Sequence, residues 1–444
     1  MSKLIYIKSF IVLTFSFYAI STCFAANSIT RMGAERSANA NGSIPEWKGG
    51  MAQREKTGTH HDNPYEKEKP LFIITAKNWK KHKKHLTEGH IALLKRYPDT
   101  FKIPVYPTHR SASFPEWVLK NTEKNKGSAS LTEDGMGIKD ALGGIPFPNP
   151  DNGLEAIWNH LVRWRGMLLK RITFEAVVFK SGTINSLRAK QEISFNFYRP
   201  RLDPNDYDNI LFYYTSFILE PARLAGGALL MVDTLNQRKK PRQVWGYDAG
   251  SHRVRRIPNV SYDSPALLAE SLRTTDDTDI FNGATDRFTW QLMGKKEIYI
   301  AYNSYQLTSP SVSYESLLTP NHMNPDFTRY ELHRVWVVEA KLKEGSRHIY
   351  SRRTYYLDED SWNIATVDQY NQAGNIWRVS IAYLKSFYEI PAVLTTADAF
   401  HDLRSGNYHV QGLTNEEPHS EIFSDELPPK EYFTPSALRQ RVHR

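Results

Sequence analysis

Histidine pairs and acidic runs are the first places to look for chemistry in this chain. His60-His61-Asp62 and the i, i+3 pair His82 and His85 carry metal-ligating atoms at spacings that a loop or helix could use. No third histidine or glutamate stands where it would complete either set, so no metal site is expected. Asp276-Asp277-Thr278-Asp279 has the acidic density of a calcium loop without its order. An EF-hand alternates its oxygen ligands ahead of a glycine and a more distant glutamate, and Gly283 falls at the wrong offset. Capping of a helix or turn by these carboxylates is the expected role. There is no Gly-x-Ser-x-Gly elbow and no glycine-rich phosphate loop, and Cys23 is the only cysteine. The sequence therefore offers no catalytic residue, metal or cofactor, and the expected protein is not an enzyme.

The elements that would position any site are mainly strands. From Tyr330 the even positions read Tyr330, Leu332, Arg334, Trp336, Val338, Ala340 and Leu342, against Glu331, His333, Glu339 and Lys341 on odd ones. That period of two is a strand with one apolar face. Turns at Lys343 to Ser346, Asp358 to Ser361 and Gln372 to Asn375 separate it from strands at His348 to Leu357, Asn363 to Tyr370 and Ile376 to Tyr388. In the last of these Trp377, Val379, Ile381 and Tyr383 share a face. Further strands are expected at Glu192 to Tyr198, Ile210 to Leu219, Gly227 to Asp233 and Glu297 to Tyr302, with a hairpin from Gln243 to Ile257 turning at Asp248 to Ser251. Helical spacing marks Leu154, Ile157, Trp158, Leu161, Val162, Leu168 and Leu169 as one amphipathic helix. Others are expected from Asn78 to Tyr97, Pro265 to Leu272 and Ala284 to Met293. Roughly ten antiparallel strands with few helices make an α+β fold, a large curved sheet with helices on one side.

Lys3 and Lys8 precede an apolar run from Phe10 to Ile20 that ends at Cys23-Phe24-Ala25, the pattern of a signal peptide cut after Ala25. The run is shorter than the roughly 20 residues of a membrane span. Export to the periplasm is expected, with a lipid anchor on Cys23 as the alternative. The boundaries read as 1–25 signal peptide, 26–150 a Pro- and Gly-rich segment that wraps a larger body, 151–426 helix plus half-barrel, and 427–444 a peripheral tail. The 57 Lys and Arg against 48 Asp and Glu give a formal charge of +9. Much of the excess lies in Lys77 to Lys84 and Arg163 to Arg171. No nucleic-acid motif accompanies it, so solvated faces or contact with an anionic envelope surface are expected.

Several motifs stand together: Gly33-Ala34-Glu35-Arg36, Asn41-Gly42-Ser43-Ile44-Pro45-Glu46-Trp47, Pro146-Phe147-Pro148 with Trp158-Asn159-His160, Val244-Trp245-Gly246-Tyr247-Asp248 before Arg253 to Pro258, and Asp276-Asp277 through Phe281-Asn282-Gly283 to Asp286-Arg287-Phe288. This combination resembles the bacterial domain-of-unknown-function family 1329, which is similar to periplasmic lipoprotein-sorting carriers. The resemblance implies an incomplete antiparallel barrel covered by helices around a hydrophobic cavity. A periplasmic carrier of a lipid, fatty-acyl group or lipoprotein anchor follows as the expected function, exchanging with an inner-membrane exporter and an outer-membrane acceptor. Trp245, Trp336, Val338, Trp377 and Tyr383 are the candidates for its ligand-binding wall, and plain core packing is the bland alternative for each. A non-catalytic assembly protein that binds another envelope protein, and a hydrolase with an unrecognised site, are the rival functions.

Overall fold

The computed structural model describes residues 28–199, 207–258 and 260–442. The expected cleavage after Ala25 and the alternative anchor on Cys23 lie outside the described residues. Among those residues no helix is long and apolar enough to cross a membrane.

Among the described residues eighteen strands follow one another as β1 (Phe72–Ile74), β2 (Ile103–Val105), β3 (Ser130–Leu131), β4 (Ile138–Lys139), β5 (Leu168–Val178), β6 (Ile184–Ser194), β7 (Ile210–Glu220), β8 (Ala228–Thr234), β9 (Gln243–Asp248), β10 (Arg253–Ile257), β11 (Phe288–Ala301), β12 (Tyr330–Leu342), β13 (Arg352–Asp358), β14 (Ile364–Tyr370), β15 (Ile376–Phe387), β16 (Ala392–Asp402), β17 (Tyr408–Leu413) and β18 (Ile422–Ser424). Sixteen of them form one curved, unclosed sheet in the order β1-β2-β12-β13-β14-β15-β16-β17-β5-β6-β7-β8-β9-β10, with β11 also on β12 and β18 on β5. The pairing is antiparallel except for a single parallel bridge between Tyr330 and Val105. The three expected hairpins join sheet neighbours: β9 with β10, β12 with β13, and β14 with β15. A short turn with Gly374 at positive φ joins β14 to β15, whereas the β12–β13 connection, with Gly345 at positive φ, runs over 343–351, so the strand expected from His348 begins at Arg352.

Alternation along these strands separates two buried faces. Val338 pairs with Tyr355, Tyr355 with Val367, Val367 with Ser380, Ser380 with Phe400, Phe400 with His409 and His409 with Val177, which defines what we call the inner face. Most of its apolar residues join the largest core cluster, together with Ile157, Trp158 and Leu161 of helix α1 (Gly153–Val162). The outer face carries Val379, Ile381, Tyr383, Ala399, Val410 and Tyr408, packed with Leu93 and Leu94 in a second cluster. A third cluster covers the β7 to β10 end of that face, where Phe433 and Leu438 of the segment expected to be a peripheral tail are buried. Residues 28–150 run along the sheet and supply Met32, Val118 and Ile145 to the first cluster and Ile44 and Ile103 to the second.

Four expected helices are corrected. The amphipathic helix stops at Val162, and Leu168 and Leu169 begin β5, because Arg163 turns extended and Gly166 takes φ +82°. The stretch from Asn78 to Tyr97 is two pieces, Trp79–His82 and Glu88–Arg96, divided where Leu86 is extended and Thr87 caps the second with its hydroxyl on the His90 N–H. A free cap site competes with helix continuation and here wins. Ala284 to Met293 is largely β11, whose tertiary pairing along β12 overrides the local spacing. Pro265 to Leu272 is turn structure closed by a bridge between Pro265 and Thr274, not a helix. The Asn196–Tyr198 end of the strand expected at Glu192 to Tyr198 is likewise a 3-10 turn.

Candidate functional site

A polar rung crosses the apolar inner face. Arg353 on β13, Gln369 on β14 and Arg378 on β15 are register partners in sequence, and alternation puts them on the side of Tyr355, Val367 and Ser380. All three reach the segment 261–287, which lies against this face. The Arg353 Nη1 donates to Asp276 Oδ2 at 2.9 Å, Gln369 Nε2 to Asp277 Oδ1 at 2.9 Å, and Arg378 Nη2 to the Ser271 carbonyl at 2.6 Å. His348 Nε2 lies 3.1 Å from the same Asp276 oxygen, and the Tyr350 hydroxyl donates to Asp277 Oδ2 at 3.0 Å.

A second clamp stands one turn farther along the segment. Arg163, just past α1, grips Asp279 with both terminal nitrogens, at 2.6 and 2.9 Å, and Arg165 adds a bond at 2.7 Å. Arg242 then links Asn282 at 2.6 Å to Asp233 at 2.8 Å. Apolar burial accompanies the clamps: Ile280 and Phe281 enter the main core, Ala266, Ala269, Leu272 and Ala284 are also buried, and Leu267 stays exposed.

Burial and charge set the ionisation here. Burial opposes ionisation of Asp276 and Asp279, but Arg353 beside the first and Arg163 with Arg165 beside the second outweigh it and hold both pKa values below the usual carboxylate range. Asp277 is raised, first by burial and then by the neighbouring Asp276 charge. Burial brings Arg165 down to about 10 and His160 to about 3, the latter assisted by Arg163. The segment also carries Leu268, Glu270, Ser271, Asp279 and Ile280 at positive φ. For leucine and β-branched isoleucine that region is strained, about 1–3 kcal/mol each. Charge clamps therefore help hold a strained segment on a face that is apolar at Val338, Tyr355 and Val367 and polar farther along, at Ser380, Asp398, His409 and Glu175.

The five residues named from sequence are divided. Trp336 and Val338 lie on the inner face, Val338 fully buried and Trp336 half-buried with its ring parallel to Trp362 at 6.3 Å. The Trp336 Nε1 is buried without a hydrogen-bond partner, and Lys295 Nζ sits 4.7 Å from the ring. Tyr383 belongs to the outer-face cluster, and Trp245 packs under the C-terminal helix α2 (Pro435–Val442) and Phe433. Trp377 is at the start of β15, donating to Asp402 at 2.9 Å and bracketed by Arg378 and Arg404. Two surface cavities, about 690 Å³ between β10 and α2 and about 340 Å³ beside Glu389 and Phe423, are lined by none of the five.

Sequence reasoning missed the clamp. Asp276, Asp277 and Asp279 read as caps, and only Asp277 acts as one, accepting the Thr274 N–H. The signal was on the strands: Arg353 and Arg378 occupy alternating positions shared with Tyr355 and Ser380, where a charged side chain must find a buried partner.

His333, Asp358 and Asp360 bring potential ligand atoms within 4.8 Å of one another, all buried. Their atoms are already committed. Arg110 takes both Asp360 oxygens at 2.6 and 2.9 Å, and Ser361 donates to Asp358 at 2.6 Å. Burial alone would lower the His333 pKa, yet its bonds to Asp358 and Glu331 raise it to about 9. A protonated imidazole between two carboxylates is an ion pair and does not fit a metal.

An uncharacterized protein of Pseudomonas aeruginosa is 45% identical over 416 residues, covering 93% of this chain and 91% of its own. The crystal structure of a DUF1329 family protein from Desulfovibrio piger covers 62% of this chain and 92% of its own, with 15% identity and a TM-score of 0.42. That of a putative outer membrane lipoprotein-sorting protein domain from Vibrio parahaemolyticus covers 65% and 98%, with 12% identity and a TM-score of 0.44. The family described as protein of unknown function, DUF1329, matches residues 73–439, and the chain belongs to it.

Proposed function

We propose that the chain is a non-covalent carrier of a hydrophobic molecule in the periplasm, a lipid, fatty-acyl group or lipoprotein anchor, exchanged with an inner-membrane exporter and an outer-membrane acceptor. The observation that carries this is the charge-clamped segment 261–287 over the inner face. Val338, Tyr355 and Val367 lie on that face, and the segment above them is tied down in part by Arg353, Gln369, Arg378, Arg163 and Arg165. Releasing an ion-paired segment returns charges to water, which offsets much of the lost Coulomb attraction. Peeling off an apolar layer has no such compensation. A fatty-acyl ligand of about 15 methylenes, costing about 0.8 kcal/mol each in water, would take the segment's place against the sheet, its anionic head meeting Arg353 where Asp276 had been. Trp336 and Val338 would contact it; Tyr383 and Trp245, on the outer face, would not.

Mass spectrometry of lipids extracted from the purified protein, and titration of the delipidated protein with a fluorescent fatty acid, test this. Saturable binding that protects neither Arg273 nor its neighbours from protease is expected, because the ligand displaces the segment. Absence of any lipid and of any fatty-acid binding would leave the interior a filled core and favour an assembly protein.

A further inference from the structure

We propose a second site, at the β1 end of the sheet: a surface made by β1 and the lysine-rich turn after it, which docks the protein on an anionic phospholipid bilayer. Leu71, Phe72 and Ile73 are consecutive large apolar residues exposed by 64%, 36% and 38%. They sit on the terminal strand of the sheet, whose far side no strand covers among the described residues. Such a triplet is a liability for a protein that meets only water.

Directly after it come Lys77, Lys80, Lys81, Lys83 and Lys84, all exposed. Among the described residues none of these five lysines forms an ion pair. The two features are held together as one rigid surface. Asn78 donates to the Ile73 carbonyl at 2.8 Å and accepts from the Thr75 N–H at 2.8 Å, locking the turn to the strand. Phe72 stacks on His82 at 4.7 Å and 14°. His85 Nδ1 bonds the Glu297 carbonyl at 2.8 Å, and its ring meets Tyr299, tying the turn to β11.

Apolar side chains flanked by unpaired ammonium groups match the boundary of an anionic membrane, where acyl chains lie just beneath phosphates. Phe72, Leu71 and Ile73 would enter the acyl boundary while the lysines pair with phosphates. A protein partner would need its own acidic rim around an apolar pocket, and nothing in the fold selects for one. The surface acts whether or not the inner face takes a ligand, so the two proposals fail separately.

The test is flotation of the full mature chain with vesicles of phosphatidylcholine alone or mixed with phosphatidylglycerol. Binding is expected only to the mixed vesicles and to weaken with added salt. Each Lys→Gln change among the five should weaken it about fivefold, and Leu71→Ser with Ile73→Ser should abolish flotation while the unfolding midpoint is unchanged. Fatty-acid binding in solution, measured on the same variants, should stay as in the parent. Equal binding to both vesicle types, no binding by the parent, or variants that float as the parent does would each overturn the docking site. The no-binding result would turn the surface over to a protein partner.

Discussion

Replacing Arg353 with methionine tests whether the segment 261–287 is a latch or a fixed part of the core. Arg353 is fully buried, 2.9 Å from Asp276 and 3.7 Å from Asp277, whose side chains are 3% and 1% exposed. Methionine fills most of the volume and removes the charge, leaving two carboxylates buried without their cation. In a fixed core that costs about 3–5 kcal/mol. A latch has a cheaper response: the segment lifts, the aspartates hydrate, and the loss stops at the free energy of opening. Urea unfolding of Arg353→Met should then fall by less than about 3 kcal/mol, while trypsin cuts after Arg273 at least tenfold faster, at urea concentrations well below the midpoint. The sign with pH is fixed. In the parent, Asp276 has a depressed pKa, so its contribution is present above the unfolded value and lost as pH falls through the folded one. In the variant the carboxylate prefers to be protonated, so the difference between the two proteins should shrink from pH 7 to pH 4. Asp276→Asn on the Arg353→Met background should recover at least half of the loss at pH 7. Cleavage after Arg273 that simply follows global unfolding would refute the latch and, with it, the opening of the inner face.

Trp336→Asp should lower fluorescent fatty-acid affinity at least tenfold while costing less than about 3 kcal/mol in urea, because on a cavity wall the new carboxylate stays partly hydrated when the cavity is empty; a larger stability loss with unchanged affinity would make Trp336 ordinary core. Asp368 accepts from the Gly89 N–H and the Thr87 and Tyr356 hydroxyls at the start of the helix Glu88–Arg96, and burial raises its pKa to about 7. A raised pKa means folding loses stability as pH rises towards 7, so Asp368→Asn should gain relative to the parent between pH 4 and pH 8, by at most about 4 kcal/mol, as read from urea midpoints. Gly89→Ala would put a Cβ 2.3 Å from Asp368 Oδ1 and 2.8 Å from Val379 Cγ1, and thermal unfolding should report a loss of about 1–3 kcal/mol.

The strands of the second half were legible because each hairpin is local. β12 to β15 alternate, their turns carry glycine or asparagine, and sequence neighbours became sheet neighbours. What could not be read was pairing at long range. β17 meets β5 across more than 200 residues of chain, and Leu168 and Leu169, helical by spacing, are drawn into strand by Ser194 and Ile193 of β6 and by Ser424 and Phe423 of the distant β18. Alternation also failed to say which face was which, because both faces are covered: Val338 and Tyr383 are equally buried, one beneath α1 and the other beneath Tyr330 and its neighbours. Hydrophobicity marks burial and cannot tell two covers apart.

The clamp was hidden for a related reason. Asp276-Asp277-Thr278-Asp279 was weighed against nearby partners, and a run of acids in a turn is ordinarily a set of caps. Its real partners are 74 or more residues away on β13 to β15 and more than 100 away around α1. The converse search would have found it. An arginine at an inward strand position costs several kcal/mol unless something neutralises it: Arg378 has Asp402 across the strand at 3.3 Å, but Arg353 has no acid opposite it in the sheet and demands a distant one, which is Asp276. Charge placed on a greasy face is thus the sequence's own pointer to the segment that covers it. A segment held partly by such charges, and strained at Leu268 and Ile280, can hydrate its ion pairs when it lifts, and on that ground the inner face is proposed as the ligand's place.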